Sequence, residues 1–286
     1  MPPAFSRTIS GHLQRRSPAF AAASVDIGNE SAFTSPVLHI DHFRMSDVTF
    51  APHPHAGFSA ISYIFDDSPG SIRNRDSLGH DFVVGPGGIV WTQAGSGVVH
   101  DELPDVSGRE VHGLQIFINL SSASKALAPA VFHYSAEELP VVTDAAGNRV
   151  KVVVGQWGES GSPLKPAEPV RFYDVLLAGD WEYDLAEGLN TMLYVAQGEV
   201  AVELDAEKRN LNQYEAVGIS GQGTVRIRPM AGKARIVLIA GKPLHEPVAQ
   251  YGPFVMNSRE ELQSAYVRYQ GGKMGQLEPL PRAGGM

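Results

Sequence analysis

Short runs of β-branched and aromatic residues, each closed by Gly, Pro, Asp or Asn, recur along almost the whole chain. They occupy 37–43, 59–65, 81–84, 89–92, 111–120, 151–154, 172–177, 191–196, 199–204, 224–227 and 235–240. A chain punctuated this way folds into antiparallel strands that close as a sandwich or barrel, so the expected class is all-β. Helical periodicity appears once. Ser258-Arg259-Glu260-Glu261 reads as a capping box, and Leu262, Ala265, Tyr266 and Tyr269 then share one face before Gly271-Gly272. With 286 residues, 43% of them hydrophobic, the chain can bury one large core or two smaller ones without covalent staples.

The strand pattern loosens between Ser121 and Pro166, which places a link there between two β units. The expected divisions are an irregular N-terminal arm (1–34), a first barrel (35–135), a linker region (136–170), a second barrel with its closing helix (171–275) and a tail without order (276–286). The halves align weakly when Tyr63 is set on Tyr194, an offset of 194 − 63 = 131 that pairs 60–65 with 191–196.

Composition removes several classes of function. There is no cysteine, which excludes disulfide frameworks, thiolate metal sites and cysteine nucleophiles; any metal must be held by His and carboxylate. The formal net charge of −8 repels phosphate backbones and anionic lipid, so direct nucleic-acid binding and membrane association are not expected. No apolar run approaches the roughly 20 residues that span a bilayer. Arg15-Arg16 ahead of a short Ala/Ser-rich run resembles a signal peptide only superficially, and the cytoplasm is the expected location.

Two motifs carry chemistry. In His53-Pro54-His55 the imidazoles sit at i and i+2, on one face of an extended strand, and His100-Asp101-Glu102 repeats that geometry with an imidazole and a carboxylate while Asp101 turns away. If both pairs face the inside of one barrel, they offer three neutral nitrogens and one carboxylate, which suits Fe(II), Mn or Ni, and zinc less well. The competing reading is a set of surface histidines in turns. His39 and His42 are three apart, diverge on a strand and read as surface or packing residues. His112 shares an apolar face with Leu114, Ile116 and Ile118 and reads as a core histidine, whereas Gln115 and Phe117 fall on the opposite face and are candidate pocket residues. Asp180, Glu182 and Glu215 read as solvated charges.

The segments His53-Pro54-His55-Ala56-Gly57-Phe58, Arg75-Asp76-Ser77-Leu78-Gly79, Gly85-Pro86-Gly87-Gly88, 91–102, His112-Gly113-Leu114-Gln115 and 246–257 stand in the order found in the pirin family, which the chain resembles over about residues 35–275. The resemblance implies two stacked cupin barrels with one iron in the N-terminal barrel, and it places the family's ligands on His53, His55, His100 and Glu102. It also implies one of two roles. Some bacterial members cleave flavonols such as quercetin at the 2,3 bond with O2; eukaryotic members act as iron-dependent, redox-sensitive regulators through a protein partner. For the enzyme, the resemblance gives a small phenolic substrate, with Glu102 loosening from the metal to take the substrate hydroxyl proton. Two positions depart from the family pattern, which has Arg where Ala56 and Ser96 stand, and the loss of two cations is expected to widen the pocket mouth. The second barrel, with His245 as the sole histidine of the C-terminal half, is expected to lack a metal site.

Overall fold

The structure is a computed structural model that describes residues 2–280. The chain opens with two short strands, β1 (Ala4–Phe5) and β2 (Ile9–Ser10), a hairpin of β3 (Leu13–Ser17) and β4 (Phe20–Val25), and one helical turn, α1 (Ser31–Thr34). There follow β5 (Val37–Met45), β6 (His53–His55), β7 (Phe58–Ile64), β8 (Ile72–Asp76), β9 (Asp81–Val84), β10 (Ile89–Gln93), β11 (Val98–Pro104), β12 (Val111–Asn119), α2 (Ser122–Lys125) and β13 (Ala130–Tyr134). Next come β14 (Val141–Thr143), β15 (Arg149–Val154) and a small hairpin of β16 (Gln156–Trp157) and β17 (Ser160–Gly161). The second half contains β18 (Val170–Leu177), β19 (Trp181–Leu185), β20 (Asn190–Gln197), β21 (Glu199–Leu204), β22 (Glu207–Asn212), β23 (Glu215–Ser220), β24 (Gly223–Pro229) and β25 (Ala234–Gly241). A last hairpin of β26 (Ala249–Tyr251) and β27 (Phe254–Met256) precedes α3 (Arg259–Gln270).

Each half is a large sheet facing a small one. The first pairs β13-β10-β7-β12-β5-β4-β3 with β6-β11-β8-β9, and the second pairs β1-β23-β20-β25-β18-β15-β14 with β19-β24-β21-β22. The two orders correspond strand for strand, with β7 equivalent to β20, β12 to β25 and β5 to β18. Register confirms the equivalence at residue level: Tyr63 pairs with Leu114 and Leu114 with His42, just as Tyr194 pairs with Val237 and Val237 with Asp174.

The two large sheets stack on each other through Ile40, Ile61, Tyr63, Leu114, Ile116, Phe172, Tyr194, Val237 and Ile239, all buried in one cluster. Their strands are therefore covered on both faces, which is why β7 is an unbroken buried run rather than an alternating one. The interior of the second barrel is filled by Trp181, Tyr183, Tyr173, Leu193, Val202, Ile227 and Leu238. No helix among the described residues is long and apolar enough to cross a membrane.

Several expectations need correction. The N-terminal arm is not irregular: β3 and β4 extend the large sheet of the first barrel, while β1 and β2 pair with β23 of the second. Nor is 136–170 merely a linker, since β14 and β15 extend the second large sheet. These segments are legible as strands only through their distant partners; β3 is short and exposed, with no alternation of its own. The helix has its capping box and buries Ala265 with Leu262 and Tyr269 beside it, but Tyr266 is exposed on the far side. Residues 276–280 of the supposed disordered tail dock on the first barrel, where Leu277 packs against the cluster that contains Ala56 and Val99 and the Glu278 carbonyl accepts from Arg75 at 3.2 Å. Residues 281–286 lie outside the described residues.

Candidate metal centre

The two-residue spacing of His53 and His55 brings both onto the inner face of β6, and antiparallel pairing sets His100 of β11 directly across from His53. One nitrogen from each of the three lies within 4.8 Å of the others. The His53–His55, His53–His100 and His55–His100 ring centroids are 4.8, 4.9 and 4.8 Å apart. His53 is oriented by its Nδ1, 2.9 Å from the Ala51 carbonyl, which leaves Nε2 for the centre. The Nδ1 atoms of His55 and His100 are buried without a protein partner. Three imidazoles meeting this way, two with orphaned nitrogens, are costly unless a cation holds them together. Burial also keeps them neutral: it drives His100, beside His53, down to about 3, sets His55 well below the usual imidazole range, and lowers His53 despite the Ala51 carbonyl. Neutral imidazole is the form that binds a metal, so the residues present fit a divalent ion.

Glu102 lines the same cavity but stands apart from the histidine trio. Its Oε2 accepts a 2.6 Å hydrogen bond from the Ser62 hydroxyl, and burial raises the carboxyl to about 7 against that bond. Asp101 points the other way, into a buried pair with Arg75.

Behind β6 the chain is braced by the C-terminal hairpin. The Val255 amide donates to the Ala56 carbonyl at 3.0 Å, and the Lys125 ammonium donates to the carbonyls of Gly57 and Val255 and to Asn119. Gly57 has φ +85°, and a Cβ there would come within 1.8 Å of the Val255 oxygen, so only glycine allows this closure.

A cavity of about 300 Å³ opens over the histidines. Phe43 and Met45 of β5 and Gln115 and Phe117 of β12 form one wall, Ile72 and Glu102 the other; Arg16, Phe20 and Phe50 stand around it. Gln115 and Phe117 thus face the cavity, while His112 on the opposite face is buried between the barrels. Ala56 and Ser96 do not line it, contrary to expectation. Ala56 follows His55 on the strand and therefore points to the other side, into a cluster with Phe254, Met256 and Ala265; Ser96 sits in the turn before β11, its amide bonded to the Leu127 carbonyl. Neither position widens the mouth. His42 is fully enclosed: its Nε2 is 2.5 Å from Nε2 of His112 and its Nδ1 2.9 Å from the Tyr194 hydroxyl. Sequence reasoning missed Ser62, Asp41 and Arg16, which reach the cavity through strand pairing and carry no local motif.

Five histidines share depressed values, namely His42, His53, His55, His100 and His112, each with burial as the leading cause. In each case the unfolded chain takes a proton near pH 6.5 that the folded chain refuses. Stability is therefore full above that pH and falls as pH drops, levelling only near the folded values, about 3 for His100 and about 4 for His112. Glu102 acts in the opposite sense, holding a proton between about pH 4.5 and about 7 that the unfolded chain releases. Five groups against one set the sign. The metal-free protein should melt about 10 °C lower at pH 5 than at pH 7.5 in scanning calorimetry; an equal or higher midpoint at pH 5 would contradict this assignment.

The paired barrels and the histidine cluster in the first of them define a two-domain cupin. Residues 25–118 match the Pirin family model, and residues 172–275 match that of the pirin C-terminal cupin domain. The chain belongs to the pirin family. It is 34% identical to a Pseudomonas aeruginosa protein whose name carries quercetin 2,3-dioxygenase as a provisional activity, over 83% of this chain and 86% of that one. Human pirin is 31% identical over 84% of this chain and 83% of its own. An Acinetobacter baumannii structure described as quercetin 2,3-dioxygenase superposes with a TM-score of 0.85 at 23% identity, covering 97% of this chain and all of that one. A bacterial pirin from Escherichia coli, solved in complex with nickel(II), superposes at 0.64 with 15% identity, over 84% of this chain and all of that one.

Proposed function

We propose that the chain is an Fe(II)-dependent dioxygenase that opens a flavonol such as quercetin at its 2,3 bond, in which His53, His55, His100 and Glu102 would hold the ion. One observation carries the reading: a largely apolar cavity lined by His53, His55 and Glu102 stands directly over the histidine cluster. When bound, the ion supplies Lewis acidity and the one-electron chemistry that O2 requires of a closed-shell organic partner. The protein's own part is positioning and proton transfer. Phe43, Met45 and Phe117 offer flat apolar walls that seat an aromatic ring and exclude water. Glu102, which lines the cavity beside His53 and His55, would accept the hydroxyl proton, and the Ser62 hydroxyl donates to that carboxylate. Mn and Ni suit the same nitrogen set, and zinc suits it less.

The test is anaerobic Fe(II) loading followed by oxygen uptake and carbon monoxide release with quercetin. Glu102→Gln should lower turnover, expressed per bound iron, by more than about 100-fold. Turnover unchanged in the variant removes the base role. Stoichiometric iron in the native chain without any oxygen uptake would instead favour a redox-responsive regulator that acts on a protein partner.

A further inference from the structure

The cavity has a second polar end. Asp41 of β5 pairs with Gln115 of β12, and Gln115 pairs with Ser62 of β7, so an inward row Asp41, Gln115, Ser62 crosses the cavity floor. At about 4.8 Å per strand, Asp41 lies about 10 Å from Ser62, the residue that holds Glu102. Phe43, Met45 and Phe117 flank the row with apolar surface.

Asp41 is fixed where it stands. Ser24 donates to its Oδ1, and His39 Nε2 is 3.0 Å from its Oδ2. Arg16, from the N-terminal hairpin, approaches to 4.0 Å and donates to the same Ser24 hydroxyl. Its side chain is 46% exposed where it lines the cavity, and of the five N–H donors of a guanidinium only one, on Nη2, is paired among the described residues, with Ser24. An acceptor and a donor of opposite charge thus stand side by side. A carboxylate ligand would meet Asp41, and an ammonium would meet Arg16. Two neighbouring hydroxyls, each both donor and acceptor, satisfy both.

We propose that Arg16 and Asp41 form an anchor for adjacent hydroxyl groups on the ring of the ligand that is remote from the metal. The proposal rests on the dioxygenase reading and adds to it the two residues that would discriminate among flavonols by the hydroxyls of the pendant ring. Both anchor residues set specificity, remote from the reacting atoms.

The experiment is anaerobic titration calorimetry on the Fe(II)-loaded full chain with quercetin, kaempferol and galangin, which carry two, one and no hydroxyls on the pendant ring. Affinity should fall about tenfold with each hydroxyl removed, the loss of one hydrogen bond to a charged group. Arg16→Gln and Asp41→Asn should each shrink the quercetin-to-galangin ratio from about 100 to about 10, with iron stoichiometry maintained. Equal affinities in the native chain, or a ratio that survives both substitutions, overturn the anchor; if quercetin is also turned over, the dioxygenase reading stands without it. Failure of all three flavonols to bind an iron-loaded protein overturns both.

Discussion

His100→Ala should abolish metal binding, taking iron or nickel from about one per chain to below about 0.1 by elemental analysis after desalting. His100 is 2% exposed and stands across from His53, so neither water nor a neighbouring side chain replaces the lost nitrogen in the right direction. Groups that merely orient a ligand are worth 10–100-fold in affinity, and the ligand itself is worth more than about 100-fold. The substitution removes a neutral, buried ring, so the metal-free variant should keep the native circular dichroism spectrum. Undiminished metal content in such a folded variant would show that the three histidines are not the binding site.

The largest loss of stability should come from Asp174→Ala, at the junction of the barrels. Arg235 donates through Nε to Asp174 at 2.8 Å, and the Tyr63 hydroxyl donates to the same carboxylate at 2.6 Å. Both charged groups are buried, at 2% and 5% exposure. Burial works to raise the Asp174 carboxyl, yet Arg235 and Tyr63 override it and leave it below the ordinary range. Removing the carboxylate leaves the buried guanidinium only the longer bonds to the more exposed Asp66 and Asp67, at 3.4 and 3.3 Å. The expected cost is about 3–5 kcal/mol, read as a lower urea midpoint at unchanged slope. Pairing the substitution with Arg235→Met should restore most of the loss, because no charge is then left alone. A double variant as unstable as the single one would mean that packing, rather than charge, is at stake.

What could be read in the sequence follows the range of the interactions. Alternation and turn residues are local, so each of the eleven runs coincides with a strand to within two residues at either end: the run at 81–84 matches β9, and 191–196 lies inside β20. The i, i+2 histidines were legible for the same reason. β8, Ile72–Asp76, was missed because it reads as a charged stretch whose strand character comes from pairing with β11. The cavity wall around Arg16, Asp41 and Ser62 was illegible because it is assembled from three strands whose contact depends on register. Ala56 and Ser96, expected at the pocket mouth from the family's arginine positions, lie elsewhere: Ala56 alternates with His55 and faces the other side of the strand, and Ser96 is held in the turn before β11 by the Leu127 carbonyl.

The exchange of strands between the halves also governs how the chain is made. Ser6 bonds to Gly218, 212 positions further on. As the nascent chain emerges, the first barrel can close on its own hairpin, but residues 4–10 have no sheet to join until the ribosome has nearly finished. Contacts of such long range form late and slowly. Proteolytic excision between the halves would yield a front piece with two stranded edge segments and a rear piece with an open sheet edge. The barrels have the outline of separable modules, yet the polypeptide is laced through both, so a truncation at either end removes bonds from the other half.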